Sequence, residues 1–200
     1  MHPYIALAKL AVENYVKEGR IINSVKNLPE DLSENRAGVF VTIKRDGQLR
    51  GCIGTYLPTK ENIAKEIISN AIAAATEDYR FPPVQKEDLP YLSYEVYVLS
   101  KPEFVKNQKD LDPKKYGIIV KTLPIPPASL DVKHLRAGIS AEKTDVVFDG
   151  HLPSKTGLLL PDLEGVETIE QQILIACQKG DIDRKSENIL IYRFSVKKYE

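Results

Sequence analysis

Cysteine is scarce in this sequence, tryptophan is missing, and no long apolar run occurs. The two cysteines among 200 residues, Cys52 and Cys177, do not form a CxxC pair, so we expect no disulfide framework. No segment approaches the roughly 20 apolar residues of a membrane-spanning helix. The residues after Met1 also lack the charged and apolar pattern of a secretory signal. These absences predict a cytoplasmic protein that does not insert into a membrane.

The sequence has no excess of either charge. Lysine and arginine total 28 residues, as do aspartate and glutamate. This balance disfavours a broad nucleic-acid-binding face. The three histidines are scattered, so we expect no metal site, and the sequence contains no Walker phosphate loop. The sequence therefore predicts neither a metal nor a cofactor.

Apolar spacing predicts helices and strands that do not alternate regularly. Without the strand–helix alternation of a doubly wound sheet, we expect an α+β fold with a central, mostly antiparallel sheet and flanking helices. Thr59 is expected to cap the second helix. The predicted helices are residues 3–18, 59–77 and 166–179, and the predicted strands are residues 38–44, 92–99, 116–121, 145–148, 157–161 and 189–196.

Asp46 and Gly47 predict the two-residue turn of a β-hairpin, because glycine tolerates a positive φ at little cost. Such a turn pairs Arg45 with Gln48. Side chains alternate along a strand, so Arg50 and Cys52 are expected to share one face. An uninterrupted ladder predicts three further pairs, which are Ile43 with Arg50, Val41 with Cys52, and Val39 with Gly54.

The heptapeptide at residues 49–55, Leu-Arg-Gly-Cys-Ile-Gly-Thr, allows two interpretations. An arginine near a thiol favours the thiolate and can also hold a carboxylate or a phosphate. Free cysteine is nevertheless among the most buried residue types, and the expected register surrounds Cys52 with valines. Considered alone, the residues therefore favour a packed, inert Cys52. Cys177 is expected in the core, on the apolar face of a helix.

The heptapeptide resembles the corresponding segment of the AMMECR family. Further matching segments follow in the same order along the chain: Asn-Ala-Ile-Ala-Ala-Ala at 70–75, Arg-Phe-Pro-Pro-Val at 80–84, Tyr-Glu-Val at 94–96, Gly-Leu-Leu-Leu-Pro at 157–161 and Tyr-Arg-Phe at 192–194. The resemblance implies a single domain over residues 1–200, with a smaller second lobe. Residues 122–155 depart from the family pattern, since they form a longer connection than is typical. We interpret them as an insertion.

The resemblance also implies a functional centre at the heptapeptide. Cys52 becomes the catalytic candidate, and the candidate ligand-binding residues are Arg50, Gly51, Gly54, Thr55 and Arg80. Microbial relatives occur beside, or fused to, a Memo-type protein and a radical S-adenosylmethionine enzyme, which are the expected partners. The expected function is a small-molecule-binding or enzymatic component. The alternative is a regulatory or scaffolding module that binds a protein partner without catalysis. The reaction and the oligomeric state do not follow from the sequence.

Overall fold

The computed structural model describes residues 1–23, 25, 28–123 and 155–200. The described residues form two compact units, Met1–Lys101 with Val196–Glu200, and Pro102–Ser195. Each unit contains an antiparallel four-stranded sheet and at least one helix, which confirms the α+β class. The predicted strand at 145–148 and all but the ends of the predicted insertion at 122–155 lie outside the described residues.

The first unit packs its helices on one face of its sheet. The buried side chains of Val39, Val41 and Ile43 form a core with those of the helices, whereas the alternate residues of the same strand point to the other face. The sheet order is β2-β1-β3-β8. The elements are α1 (Pro3–Glu18), α2 (Glu30–Glu34), β1 (Val39–Arg45), β2 (Gln48–Thr55), α3 (Ile63–Thr76), a 3-10 helix (Lys86–Tyr91), β3 (Leu92–Leu99) and β8 (Val196–Tyr199).

The second unit has its own core, formed where a helix packs on a sheet of order β4-β7-β5-β6. Cys177 lies in this core, and burial raises the pKa of its thiol. The prediction that Cys177 is a core residue is thus confirmed. The elements are β4 (Glu103–Phe104), a 3-10 helix (Gln108–Asp110), β5 (Gly117–Thr122), β6 (Thr156–Leu159), α4 (Ile169–Lys179) and β7 (Ile189–Phe194).

Three predicted element boundaries are wrong, and one of them is the start of α4, which begins at Ile169 with Thr168 as its N-cap and not at residue 166. Helix α3 begins at Ile63 with Asn62 as its N-cap, and not at Thr59. Thr59 instead donates its hydroxyl and its N–H group to the Glu66 carboxylate. The predicted strand 189–196 is two strands, because the chain leaves the second sheet after Phe194 and enters the first sheet as β8. By contrast, α1 has the bounds expected from its sequence.

None of the helices in the described part of the chain is both long and apolar enough to cross a bilayer.

Candidate functional site

The β1–β2 hairpin turns at Asp46 and Gly47, as predicted. Both residues have positive φ, 52° and 79°, as a tight two-residue hairpin turn requires. Arg45 pairs with Gln48, and Lys44 with Leu49. Ile43, which precedes Lys44 in β1, pairs with Gly51. Arg50 is therefore an extra residue on β2 and forms a β-bulge.

The bulge shifts the register beyond it by one residue. The three predicted pairs are therefore wrong, since an extra residue moves every later partner by one position. The observed pairs are Ile43 with Gly51, Thr42 with Cys52, Val41 with Ile53, and Val39 with Thr55. As a consequence, Cys52 lies opposite a hydroxyl-bearing residue and not opposite a valine.

The two glycines of the heptapeptide allow close packing on opposite faces of β2. A Cβ atom at Gly51 would overlap the carbonyl oxygen of Ala74 in α3. A Cβ atom at Gly54 would overlap the Phe40 ring. Each glycine is therefore required by the fold around it. Ligand contacts by their backbones stay a prediction.

Arg50 connects the bulge to the 3-10 helix of the first unit. Its Nη2 donates to Asp88 Oδ2 at 3.3 Å, while Arg45 Nη1 donates to Asp88 Oδ1 at 2.6 Å. The hydrogen bond from the Gln85 N–H group and the charges of the two arginines lower the pKa of the Asp88 carboxyl. Burial acts in the opposite direction but is outweighed. Arg50 thus holds the bulged backbone in place. That it also binds a ligand stays a prediction.

Thr55 anchors the end of β2 to α3. Its hydroxyl donates to Glu66 Oε1 at 2.7 Å, and the Thr59 hydroxyl and the Thr59 and Lys60 N–H groups donate to the same carboxylate, each at 2.8 Å. Burial opposes ionisation of Glu66, but these hydrogen bonds outweigh it and hold the pKa of Glu66 below its usual range. Thr55 therefore has a structural partner, and a ligand contact by Thr55 also stays a prediction.

Cys52 lies on the face of the first sheet that points away from the helices. This outer face carries Thr42, Lys44, Cys52, Glu95, Tyr97 and Lys198; Thr42 pairs with both Cys52 and Glu95, and Tyr97 pairs with Lys198. The Thr42 hydroxyl donates to the Cys52 sulfur at 3.2 Å. The N–H group of Cys52 donates to Asp78 Oδ2 at 2.8 Å. Cys52 is thus partly exposed and held in a polar environment, contrary to the expected packing among valines.

Asp78 fixes Arg80 beside Cys52. Arg80 Nε donates to Asp78 Oδ1 at 2.9 Å and Arg80 Nη2 to Asp78 Oδ2 at 2.7 Å. The Arg80 side chain, together with the N–H groups of Cys52 and Arg80, outweighs burial and lowers the pKa of Asp78 to about 2. Its hydrogen bond to Asp78 in turn raises the pKa of Arg80, and Cys52 makes a smaller electrostatic contribution in the same direction. Arg80 is thus a predicted ligand-binding residue whose charge interacts with Cys52.

Glu95 organises the rest of the outer face. Thr42 lies opposite Cys52 on one side and opposite Glu95 on the other. Lys44 Nζ and Lys198 Nζ contact Glu95 Oε1 at 2.7 and 3.0 Å, and Tyr97 Oη donates to Oε2 at 2.8 Å. Burial opposes ionisation of Glu95, but the Lys44, Tyr97 and Lys198 hydrogen bonds hold its pKa below the usual range.

Tyr97 keeps its proton on this face. Burial first, and then the hydrogen bond to Glu95, raise the pKa of Tyr97, and Cys52 adds a smaller electrostatic contribution. The Tyr97 phenol is therefore a hydrogen-bond donor near the candidate thiol.

Thr42, Asp78, Glu95, Tyr97 and Lys198 were not among the predicted site residues. A usable signal existed for Glu95, since a carboxylate in the middle of a strongly apolar strand requires a partner. Asp78 precedes Arg80 by two residues in a turn, which also suggests a local ion pair. Lys198 had no local signal, because its partner lies in another strand far along the chain. Among the described residues, no group of three His, Cys, Asp or Glu side chains could hold a metal ion.

Comparisons with known proteins place this arrangement in context. A sequence model of the family described as AMMECR1 matches residues 5–199. A Thermotoga maritima protein is 46% identical over 200 residues, which cover 100% of this chain and 98% of that protein. Protein CA_C1420 of Clostridium acetobutylicum is 39% identical over 199 residues, but the match covers 36% of its length. The crystal structure of uncharacterized protein PH0010 from Pyrococcus horikoshii is similar with a TM-score of 0.74 and 28% identity, covering 98% of this chain and 88% of that chain.

Proposed function

Because the chain belongs to the AMMECR1 family, we propose that it is a small-molecule-binding or enzymatic component that acts through the heptapeptide 49–55. Cys52 is the catalytic residue of this proposal. Its thiolate attacks an electrophilic atom of the substrate, a bond to sulfur forms, and the leaving group departs with its electron pair. The observation that carries the proposal is the Thr42 hydroxyl 3.2 Å from the Cys52 sulfur. A hydrogen-bond donor stabilises negative charge on sulfur, and the thiolate is the nucleophilic form.

The Asp78–Arg80 pair supports the same role for Cys52. A guanidinium beside a thiol favours the thiolate. Asp78 is almost completely buried and binds both the Cys52 N–H group and the Arg80 side chain. It is a positioning residue, because it fixes the sulfur-bearing backbone and the positive charge relative to each other. Arg50, Gly51, Gly54 and Thr55 maintain the strand that presents Cys52.

Alkylation of the two cysteines tests the proposal. We expect iodoacetamide to label Cys52 in the native protein, with a half-maximal rate at a lower pH than for glutathione, over a range of about pH 5 to 9. Cys177 serves as an internal control, because it is 1% exposed and should react only after unfolding. Mass spectrometry of digested protein identifies the labelled residue. Labelling of Cys52 only upon unfolding would overturn the proposal.

Variants of Thr42 make the test specific. Thr42→Val removes the hydroxyl but keeps the branched side chain, so the half-maximal alkylation rate of Cys52 should move to higher pH. Thr42→Ser retains the donor and should restore the lower value. If both variants behave like the parent protein, the hydroxyl does not activate the sulfur.

The partners and the location belong to the same proposal. The resemblance suggests that the chain acts with Memo-type and radical S-adenosylmethionine proteins. In the Clostridium acetobutylicum relative, the matching region is 36% of a longer chain, which supports a function beside additional protein modules. A cytoplasmic location is supported by the two free cysteines.

One observation favours the alternative, a regulatory or scaffolding module that binds a protein partner. Tyr79 is 96% exposed between Asp78 and Arg80, and exposed aromatic rings are common anchors at protein interfaces. On edge strand β2, the outward N–H group of Cys52 already donates a hydrogen bond to Asp78. A partner's strand therefore cannot pair with that N–H group. Under the alternative, the Cys52→Ser variant should bind the protein partner as the parent protein does, whereas the Tyr79→Ala variant should lose this binding.

A further inference from the structure

We infer that the outer face of the first sheet selects an anionic substrate, a small carboxylate or phosphate, whose electrophilic atom meets the Cys52 sulfur. The inference rests on the proposed function and names the substrate class of that site. It is carried by the arrangement of three cationic side chains, Arg80, Lys44 and Lys198, around Cys52 and Thr42.

The cations around Cys52 are more exposed than the carboxylates that bind them. The side chains of Arg80, Lys44 and Lys198 are 43%, 33% and 42% exposed, whereas those of Asp78 and Glu95 are 3% and 10% exposed. A molecule that approaches Cys52 from solvent therefore meets the ammonium and guanidinium groups before the carboxylates. Charge of one sign at the surface of a site raises the local concentration of the opposite ion.

The charges around Glu95 do not cancel locally. Lys44 and Lys198 both contact the same oxygen, Oε1, and the other oxygen accepts the Tyr97 hydroxyl. One carboxylate thus faces two ammonium groups. Lys198 also contacts Glu200 at 2.6 Å, but the Glu200 side chain is 69% exposed, and water and salt weaken such an exposed pair.

Arg80 retains hydrogen-bonding capacity for a ligand. Asp78 engages Nε and Nη2 of the guanidinium, and an arginine side chain has further N–H groups beyond those two. Carboxylates and phosphates are the anions that a guanidinium binds with the best geometry. Arg80 can therefore orient an anionic group of the substrate next to the Cys52 sulfur while Asp78 holds its other side.

The spacing fits a small molecule. Thr42 separates Cys52 from Glu95 across neighbouring strands, and strands lie about 4.8 Å apart. The backbone at Cys52 is thus about 10 Å from the backbone at Glu95, two strand spacings away. The lysine charges act over about one Debye length at physiological ionic strength, so the selectivity should depend on salt.

Two alkylating reagents that differ only in charge test the inference. Iodoacetate and iodoacetamide react alike: a sulfur–carbon bond forms, the carbon–iodine bond breaks, and iodide leaves with the electron pair. At low salt, the ratio of the iodoacetate rate to the iodoacetamide rate at Cys52 should exceed the ratio for glutathione about tenfold. Added sodium chloride should reduce this preference.

Single substitutions locate the source of the preference. Arg80→Gln should reduce the rate ratio most, because Asp78 binds both the Arg80 side chain and the Cys52 N–H group, and Lys44→Met and Lys198→Met should each reduce it severalfold. Glu95→Gln should raise the ratio, since it removes the opposing charge, and a gain cannot be explained by poor folding. Lys197→Met is the matched control. Lys197 lies one residue before Lys198 but on the other face of β8, near the Tyr199 ring, so both rates should stay unchanged.

The outcomes separate the inference from the proposed function. If neither reagent labels native Cys52, the proposed function fails. If both reagents label Cys52, and the ratio of the iodoacetate rate to the iodoacetamide rate equals that of glutathione, the proposed function stands and the anionic substrate class is overturned. Protection of Cys52 by inorganic phosphate or by acetate at constant ionic strength supports the inference and identifies the preferred anion. Protection by neither anion overturns it.

Discussion

Gly51 lies where α3 packs directly against strand β2. Any larger residue would place its Cβ atom against the Ala74 carbonyl oxygen, and a backbone atom of a helix cannot move aside as a side chain does. The neighbouring Cys52 points to the opposite face and meets Thr42. At the scale of single residues, the heptapeptide therefore combines a packing requirement on one face of the strand with a candidate thiol on the other.

Gly51→Ala should lower the free energy of unfolding by about 3 kcal/mol, because the added methyl group overpacks the contact between strand and helix. Urea denaturation followed by circular dichroism measures the change. Leu49→Ala is the control in the same strand. Leu49 is 43% exposed, so its truncation should change stability by about 0.5 kcal/mol or less. Equal denaturation midpoints for the two variants would contradict the packing role of Gly51.

The connection between β2 and α3 is held by the side chains of Arg36, which donates to the Pro58 and Lys60 carbonyl oxygens, and of Glu66. Glu66, on the first turn of α3, accepts four hydrogen bonds from Thr55, Thr59 and Lys60. Its side chain is buried, and the N–H groups that it binds belong to a segment without regular secondary structure. The connection therefore depends on an ionised carboxylate where a regular element would supply its own backbone partners.

Glu66→Gln should destabilise the protein by about 2 kcal/mol at neutral pH. The new amide NH₂ group is itself a donor, so it could not accept the hydrogen bonds that one carboxylate oxygen now accepts. Glu61→Gln is the control, because Glu61 precedes the same helix and is exposed in a surface pair with Lys65. Thermal denaturation of the two variants against the parent protein measures the difference. Similar losses in both would contradict the role of Glu66.

The same substitution predicts a pH dependence. The pKa of Glu66 is lower in the folded protein than its ordinary value of 4.5, so the unfolded chain binds more protons between the two values. The stability that Glu66 contributes is therefore complete above about pH 4.5 and is lost as the pH falls through its folded value. The difference between the parent protein and Glu66→Gln should shrink as the pH is lowered from 7 to about 3. A constant difference would contradict this linkage.

At the scale of the whole molecule, the first unit contains both ends of the chain. Helix α1 begins at Pro3, and β8 ends at Tyr199, where the Tyr4 and Tyr199 rings stack with centroids 4.0 Å apart. Lys198 reaches Glu95 from the same strand. The first sheet and the charge pattern of its outer face therefore depend on β8, which is far from the other strands of that sheet in the sequence.

Binding to a Memo-type or radical S-adenosylmethionine protein is a prediction for the whole molecule. If the heptapeptide lies in the interface, Leu49→Asp should weaken the complex at least about tenfold, since a buried charge without a partner opposes association. Leu10→Asp on α1 is the matched control, because Leu10 is 42% exposed and Leu49 is 43% exposed. Isothermal titration calorimetry with the purified partner gives both affinities. Equal affinities for the two variants would exclude the heptapeptide from the interface.

Several elements follow directly from local sequence. The Asp46-Gly47 turn, helix α1 with Gly19 in the left-handed conformation at its end, and strand β3 all have the expected form. The burial of Cys177 also follows from the spacing of apolar residues along α4. These features depend on backbone geometry and side-chain periodicity over a few residues, which are present in the sequence itself.

The register of the heptapeptide depended on distant residues. Arg50 forms a bulge and pairs with Asp88, which is 38 positions away in the sequence. Gly51 and Gly54 indicate a bulge or a close approach within the strand, but they do not indicate at which residue the register shifts. Since a shift of one residue exchanges the partners of every later position, the predicted environment of Cys52 changed from valines to a polar face.

The sequence by itself determined the α+β class, the hairpin and the segment in which the candidate thiol lies, because these depend on local periodicity and on motif identity. Only the tertiary structure decided what surrounds that thiol. The Cys52 N–H group meets Asp78 from 26 positions away, and Lys44 meets Glu95 from 51 positions away. Such contacts arise when strands pair and helices pack. The polar groups that could make Cys52 reactive were therefore determined by the folded sheet and not by the neighbours of Cys52 in the chain.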